Sequence, residues 1–433
     1  MAQTQKRTNY ILSHENAGAR RQRQGAARPQ QTAAHPPQTA DAPPKRRVKR
    51  KEPGLRIFDG PIDMVFFTIV IVLLAYGIIM MFSASYVAGL SLNEPDGYHY
   101  VRTQSIAAIM GIIMMIFISF WDYHILMNSK IVIFGFIVAF VMMLLCFAPE
   151  PLGHSEAGAA RWINIGSQSF QPSELMKAVL IVFLSYVIVK NPHNIGSFNK
   201  GVIPIIAILG VVCVVMVLQR HISGLLLMAV IGLCVIFVGG MPWKRFIQLC
   251  VILLALAIVA AFVYSSAKGG GLSYITDRFA GMSQAGEGEL TDESWQTTQS
   301  LIAIGSGGWF GLGFGESRQK YAWLPESQND FIFPIIVEEL GYLGGLAVVF
   351  LFALFIYRGF YIAKKAPDKF GMLITTGITF QIGVQALLNI GVACNAFPNT
   401  GISLPFFSYG GTALLMQLAE MGVILAVSRQ CEI

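Results

Sequence analysis

Residues 331–356 read FIFPIIVEELGYLGGLAVVFLFALFI. As an α-helix, this run is long enough to cross the hydrocarbon core of a bilayer, which is roughly 30 Å thick. Its only charged residues are Glu338 and Glu339. A charge inside hydrocarbon costs about 3 kcal/mol or more, so a chain keeps one there when it is paired, hydrated or functional. The run therefore predicts a membrane-spanning helix, and its two glutamates mark a candidate site.

The composition of the whole chain also indicates a membrane protein. Of its 433 residues, 54% are hydrophobic and 13% are charged, and the mean hydropathy is +0.58. Soluble domains carry about 25% charged residues, so this composition excludes an ordinary soluble protein. The six cysteines form no CxxC pair and no secreted-type spacing, and we predict neither a disulfide framework nor a zinc site.

Ten apolar runs approach the length of about 20 residues that a transmembrane helix needs. They predict an all-α, polytopic membrane protein with about ten transmembrane helices and a large extracytoplasmic loop between helices 7 and 8. The predicted helices cover residues 61–84, 103–120, 130–149, 173–190, 202–219, 222–240, 246–265, 331–356, 371–394 and 406–427.

The distribution of basic residues predicts the orientation. With the N-terminus in the cytoplasm, Lys and Arg concentrate in the loops that would lie inside, as the positive-inside rule requires. Ten crossings then return the C-terminus to the cytoplasm. Loops 150–172 and 266–330 fall on the outside, and loops of such length are usually functional. We therefore expect any chemistry that they share to be extracytoplasmic.

The N-terminal segment, residues 1–56, differs from the predicted transmembrane domain, residues 57–433. It holds thirteen Lys or Arg, three Asp or Glu, and no apolar run. Such a segment cannot offset the entropy of ordering, so we predict a disordered cytoplasmic tail. Its basic cluster at residues 45–51 is typical of a juxtamembrane segment that orients the chain and contacts anionic membrane lipid. We predict no nucleic-acid partner.

Asp330 directly precedes the run at residues 331–356. Partial desolvation at the boundary between water and lipid makes a carboxylate a stronger base, which suits general base catalysis. Helix capping is the structural alternative, because Asn329 and Asp330 are both good N-cap residues. For Glu338 and Glu339, the alternative is pairing with a Lys or Arg inside the bundle.

Glu174 and Lys177 are spaced i, i+3 at the start of the predicted fourth helix, so they can form an ion pair that holds the helix end. Alternatively, Lys177 binds a phosphate at the outer surface together with Arg161. Spacing leaves both interpretations open. Residues 401–411, GISLPFFSYGG, precede the last predicted helix. They predict a broken or re-entrant backbone, which is tolerated at membrane depth where it is buried or lines a cavity.

From about residue 57 onward, the chain resembles the SEDS family of bacterial membrane proteins (shape, elongation, division and sporulation). The resemblance rests on the order of nine short motifs: SAS (83–85), WDY (121–123), ARWI (160–163), QPSELMK (171–177), QSLIAIG (299–305), GFGESRQK (313–320), LPESQNDFIF (324–333), EELG (338–341) and LPFFSYGG (404–411). Two positions depart from many relatives: Gln328-Asn329 replaces His-Thr, and residues 219–223 read QRHIS where Gln-Pro-Asp-Leu-Gly is common.

The resemblance implies a peptidoglycan glycosyltransferase that polymerises lipid II, an undecaprenyl-diphosphate-linked disaccharide peptide, at the outer face of the cytoplasmic membrane. It implies that Asp330 is the catalytic residue. The candidate substrate-binding residues are Arg161, Glu174, Lys177, Arg318, Lys320, Glu338 and Glu339. The implied partners are a class B penicillin-binding protein, which is a transpeptidase, and other divisome proteins. No cofactor is certain; a divalent cation could share the catalytic work, but no metal ligands are identified.

The long basic tail and the Gln-Asn-Asp sequence at 328–330 favour a role in division at the septum over elongation or sporulation. Two other classes of function remain open. Ten helices with buried charges also suit a lipid II flippase or another membrane carrier. A non-catalytic division scaffold is the third class, and it would make the Asp330 side chain dispensable.

Overall fold

The computed structural model describes residues 60–92, 94–149, 153–156, 159–165, 168–268, 292–321 and 323–431. The predicted disordered tail, residues 1–56, lies outside these ranges. So do residues 269–291 of the predicted large loop.

Eleven α-helices occur in the described ranges. They are α1 (Met64–Leu90), α2 (His99–Ser119), α3 (Ser129–Leu145), α4 (Pro172–Lys190), α5 (Ile203–Leu218), α6 (Ile222–Val238), α7 (Trp243–Lys268), α8 (Asp292–Ser306), α9 (Ile332–Lys365), α10 (Lys369–Ala393) and α11 (Gly411–Ser428). Short turns of 3₁₀-helix (Tyr123–Met127) and π-helix (Phe198–Val202) precede α3 and α5.

Among the described residues, seven helices are long and apolar enough to cross a membrane, and α3 and α6 are shorter apolar helices. The predicted α-helical membrane fold is confirmed, whereas the count of ten spans stays a prediction. Several helix boundaries differ from the prediction by four residues or more; α1, for example, continues to Leu90. Two of these differences have a visible cause. The helix of the eighth run continues to Lys365. Its extension past residue 356 carries Arg358, which forms an ion pair of 2.8 Å with Asp63 at the start of α1 and so keeps this part packed on the bundle. The last helix begins at Gly411 and not at residue 406, because Phe406 adopts a left-handed conformation with φ 67°.

Helix α10 forms the centre of the bundle. Two thirds of its apolar window, 67%, is buried, and it contacts α4, α6, α9 and α11. Helix α2 packs along α11, and α1 packs along α9. By contrast, only 28% of the apolar window of α2 and of α9 is buried. The outward faces of these two helices are therefore apolar and exposed, as membrane helices require.

The predicted loop at 150–172 contains a small antiparallel sheet that an all-α prediction does not include. Its strands are β1 (Gly153–Glu156), β2 (Ala159–Ile165) and β3 (Gln168–Phe170), in the order β1-β2-β3. Trp162 and Ile163 are residues that favour strands. Strand β2 contacts α3 and α4, and β3 contacts α11, so the sheet covers one end of the bundle.

The bundle has two ends, which we name after an aspartate at each. The Asp330 end is where α9 begins, and the Asp63 end is where α1 begins. At the Asp63 end, His124 lies between Asp122 (2.6 Å) and Asp368 (2.9 Å). Hydrogen bonding to Asp368, and then to Asp122, raises the pKa of His124 despite partial burial. This contact joins the α2–α3 and α9–α10 connections.

Candidate functional site

Helix α9 is broken at Gly341, which has φ 71° and ψ −173°. At the break, backbone carbonyl and amide groups of α9 lack partners within the helix. The segment at residues 307–313 forms hydrogen bonds with them. The amides of Leu312 and Gly313 donate to the carbonyls of Glu338 (2.9 Å) and Glu339 (3.0 Å), while the amide of Tyr342 donates to Gly308. A Cβ on Gly341 would lie 2.3 Å from the carbonyl oxygen of Trp309. Only glycine therefore permits this close approach.

A buried polar network lies beside the break. The ammonium of Lys320 donates to Glu339 at 2.9 Å and to Ser83 of α1 at 3.2 Å. Glu338 accepts hydrogen bonds from the hydroxyl of Ser317 and from the amide of Arg318 at 3.1 Å. Glu338, Glu339 and Lys320 are all at least 94% buried. Glu339 is therefore paired with a lysine inside the bundle, which was the structural alternative to a catalytic role. Both glutamates bind the segment that precedes Asp330 in the chain.

That residues 266–330 form an external loop stays a prediction, but this network shows that the part around Lys320 is buried against α1 and α9. Ser83 is seven residues before the end of α1, and Glu339 is seven residues after the start of α9. At 1.5 Å per residue, both lie about 10 Å inside the span. The chain around Lys320 therefore dips into the bundle from the Asp330 end. Helix α8, which the apolar pattern did not reveal, leads into this segment and packs against α9.

A second irregular segment, residues 401–410, also enters the bundle from the Asp330 end. The carbonyl of Phe406 packs on Gly77, near the middle of α1, where a Cβ would lie 2.2 Å from the oxygen. Side chains satisfy its backbone groups: Gln417 accepts from the Phe406 amide at 3.1 Å, and Gln104 donates to the Ser408 carbonyl at 3.1 Å. This is the re-entrant backbone that residues 401–411 predict.

Asp330 lies where these two segments meet, and its side chain is half-buried. Its carbonyl oxygen accepts a hydrogen bond of 2.7 Å from the amide of Asn389 at the end of α10. Its Oδ2 faces Gly401, where a Cβ would lie only 3.2 Å away. The N-cap position of α9 is occupied by Phe331, so neither Asn329 nor Asp330 is the capping residue.

Arg161 belongs to the same end of the bundle. From β2, it donates a hydrogen bond of 2.7 Å to the carbonyl of Arg220, in the break between α5 and α6. Arg220 has φ 55°. In the first turn of α6, the hydroxyl of Ser223 donates to the carbonyl of Thr400, which neighbours Gly401. These contacts connect Arg161 to Asp330 through the start of α6 and the segment at Thr400 and Gly401. Sequence spacing did not predict that residues 220–223 take part.

Glu174 and Lys177 form the ion pair that their spacing allows, with a distance of 2.8 Å. Lys177 is only 3% exposed. Farther inside, the Gln381 amide donates to both carboxylate oxygens of Glu420, at 3.0 and 2.9 Å. Glu420 borders an apolar groove of about 230 Å³ between α2, α3, α4 and α11. Glu420 was not among the predicted residues, although a lone glutamate in an apolar run is a usable signal.

The structure therefore divides the candidate substrate-binding residues into three sets: a buried network, a separate ion pair and two arginines. Glu338, Glu339 and Lys320 share one buried network, and Glu174 and Lys177 form a separate pair. Arg318 differs from them, because its side chain is exposed on the segment that leads to Asp330. Arg161 is half-buried. Lys177 and Lys320 are thus held in buried ion pairs, whereas the Arg161 side chain bonds a backbone carbonyl and the Arg318 side chain is exposed.

Comparison with known proteins gives consistent results. The family model described as cell cycle protein, FtsW/RodA/SpoVE, matches residues 63–433. The chain is 36% identical to stage V sporulation protein E of Bacillus subtilis strain 168, over 85% of this chain and 97% of that protein. It is 33% identical to a probable peptidoglycan glycosyltransferase FtsW of Geobacter sp. strain M18, over 84% and 96% of the two chains.

Two solved structures share the fold. One comes from work on the structural coordination of polymerization and crosslinking by a peptidoglycan synthase complex; it has a TM-score of 0.68 and 24% identity, and covers 85% of this chain and 98% of that chain. The other is the rod shape determining protein RodA of Thermus thermophilus, with a TM-score of 0.59 and 25% identity over 86% and 98% of the two chains. Motifs, fold and family model agree, and the chain belongs to the FtsW/RodA/SpoVE family of cell cycle proteins, the SEDS family.

Proposed function

We propose that this protein is a peptidoglycan glycosyltransferase that polymerises lipid II during cell division. The observation that carries the proposal is the position of Asp330. Its half-buried carboxylate faces Gly401 at the meeting point of two re-entrant segments, and Arg161 and Arg318 lie on the chain segments around it. Relatives named peptidoglycan glycosyltransferase support the reaction class.

In the proposed reaction, the 4-hydroxyl oxygen of one lipid-linked disaccharide attacks the anomeric carbon of another. A glycosidic C–O bond forms while the bond from that carbon to the diphosphate breaks, and the polyprenyl diphosphate leaves with the electron pair. Asp330 accepts the hydroxyl proton as general base. Negative charge develops on the leaving diphosphate, so fixed cations lower the barrier. Arg318 and Arg161 bind it, because guanidinium groups match phosphate oxygens in pairs.

The buried residues act indirectly in this proposal. Glu338, Glu339 and Lys320 hold the segment before Asp330, and Glu174 with Lys177 holds the start of α4. The polyprenyl chains lie in lipid-facing grooves between helices, of which the groove beside Glu420 is one candidate.

The test is polymerisation of purified lipid II by the purified protein in detergent, where a flippase has no second leaflet to serve. We expect glycan strands from the wild type and a loss of at least 100-fold for Asp330→Asn, because the base is removed while the shape is kept. Glu316→Gln, which alters an exposed carboxylate of the same segment, is the matched control. A folded Asp330→Asn protein with near-normal polymerisation would remove Asp330 as the base. A wild type that neither makes glycan nor moves lipid II between leaflets would favour the scaffold class. A wild type that moves lipid II between leaflets of a vesicle but makes no glycan would favour the flippase.

The role in division rests on the basic tail and the Gln-Asn-Asp sequence. We further propose a class B penicillin-binding protein as the partner that crosslinks the new strands, other divisome proteins at the septum, and both termini in the cytoplasm. Co-purification with the cell's division transpeptidase, compared with its elongation counterpart, tests this choice; selective binding of the elongation transpeptidase would assign the protein to elongation.

A further inference from the structure

Asn389 connects Asp330 to the re-entrant segment that faces it. Asn389 is in the last turn of α10 and is only 2% exposed. Its side-chain amide donates two hydrogen bonds, one of 2.7 Å to the carbonyl of Asp330 and one of 2.8 Å to the carbonyl of Ile402. One side chain therefore binds the main chains on both sides of the Asp330 carboxylate.

The backbone around Asp330 needs such support. It lies at the end of the turns that lead into α9, and Phe331, the N-cap residue of α9, has φ −114° and ψ 34° without a side-chain cap. A second contact fixes the same stretch, since the amide of Tyr409 donates to the carbonyl of Gln328 at 2.9 Å. Both contacts hold the main chain, so they determine where the Asp330 side chain begins.

The space between the Asp330 carboxylate and the segment at residues 401–410 is small. Gly401 has φ 61°, and a Cβ there would lie 3.2 Å from Oδ2 of Asp330. Asn389 binds Ile402, the next residue, so it fixes the separation between Gly401 and the carboxylate. If the amide were lost, the two segments could separate or approach, and a displacement of about 1 Å in a reacting group can cost about 100-fold in rate.

We propose that Asn389 is a positioning residue, which sets the place of the Asp330 carboxylate by binding the main chains of Asp330 and Ile402 together. This inference rests on the proposed function, in which Asp330 is the general base. Asn389 itself touches no substrate and transfers no proton.

Two pairs of variants test the proposal in the full-length protein. Asn389→Asp keeps the size of the side chain and removes at least one of the two N–H donors, and Asn389→Leu removes both. Gln385→Glu and Gln385→Leu are the matched controls, because Gln385 lies one turn earlier on α10 and is also 2% exposed. Each protein is assayed for kcat and KM with lipid II. Hydrogen exchange is measured for peptides covering residues 326–331 and 400–404.

We expect both Asn389 variants to lose about 10- to 100-fold in kcat with KM for lipid II within about two-fold. Exchange should accelerate in the two peptides for the Asn389 variants and remain near wild type for the Gln385 variants. A wild-type kcat, an equal loss in the Gln385 variants, or a change confined to KM would overturn the proposal. Unfolding of both Asn389 variants while the Gln385 variants fold would also overturn it, since Asn389 would then be a general structural anchor.

The failure of the proposed function gives a different result. If the wild type makes no glycan, the reaction class is wrong, and hydrogen exchange still tests whether Asn389 joins the two segments. If the wild type polymerises and Asp330→Asn does not, normal turnover by the Asn389 variants would reject only the positioning role.

Discussion

Lys320 and Glu339 illustrate what a charged residue can do inside a membrane protein. Their pair is 4% and 0% exposed at the side chains, and Ser83 donates to both oxygens of Glu339 at 2.7 Å. Removing two charges from water is costly, so such a pair adds little net stability, but removing one partner leaves an uncompensated buried charge. The pair therefore specifies where the segment before Asp330 enters the bundle.

Lys320→Met should destabilise the fold by about 3–5 kcal/mol, because Glu339 would lose its cation. The double variant Lys320→Met, Glu339→Gln should recover most of the loss, as a coupled pair predicts. Thermal unfolding in detergent measures both, and Lys364→Met, at an exposed lysine of the Asp63 end, is the control. If the double variant is stable but makes no glycan, Lys320 or Glu339 acts in the reaction and not only in the fold.

At the scale of elements, two irregular segments enter the bundle from the same end, and glycines make room for both. Gly341 admits the segment at 307–313, and Gly77 admits the segment at 401–410. Irregular backbone is tolerated at this depth because its polar groups are satisfied within the protein. Asp330 therefore sits on backbone that is held from two sides.

Gly77→Ala should lower both stability and polymerisation. Its Cβ would lie 2.2 Å from the carbonyl oxygen of Phe406, and such overpacking typically costs about 1–3 kcal/mol. Thermal unfolding and glycan synthesis measure the two effects. Gly210→Ala in α5 is the control, because nothing lies within 4 Å of its added Cβ and alanine favours the helix. Equal behaviour of the two variants would show that the 401–410 segment does not depend on Gly77.

At the scale of the whole molecule, the proposed reaction requires the Asp330 end to face outward. The irregular segments, the β-sheet and Arg161 all lie at that end, while Arg358 and His124 lie at the Asp63 end. The positive-inside rule predicts the same orientation from the loops alone.

Single cysteines in a background without other reactive thiols test this orientation. Glu94→Cys, in the α1–α2 connection at the Asp330 end, should react with an impermeant maleimide on intact spheroplasts, and Lys364→Cys, at the Asp63 end, should react only after lysis. Both native side chains are exposed, so access to the reagent depends on the side of the membrane. The reverse labelling pattern would place Asp330 in the cytoplasm and reject synthesis at the outer face.

Much of the architecture could be predicted from local sequence. Apolar runs such as residues 331–356 predicted membrane helices because burial in lipid depends on composition and length alone. Residues 401–411 predicted a re-entrant backbone because glycine and proline interrupt helices. The ion pair of Glu174 and Lys177 followed from helical spacing, which places residues i and i+3 on one face.

The tertiary structure decided what spacing cannot show. Lys320 and Ser83 are far apart in the chain, and only the antiparallel packing of α1 and α9 brings both to Glu339. Likewise, Asn389 meets Asp330 because α10 ends where α9 begins. Periodicity reports which side of one helix is apolar, but it carries no information on which helices become neighbours. The sequence by itself therefore determined the membrane fold and the candidate base, and packing between distant helices decided how that base is held.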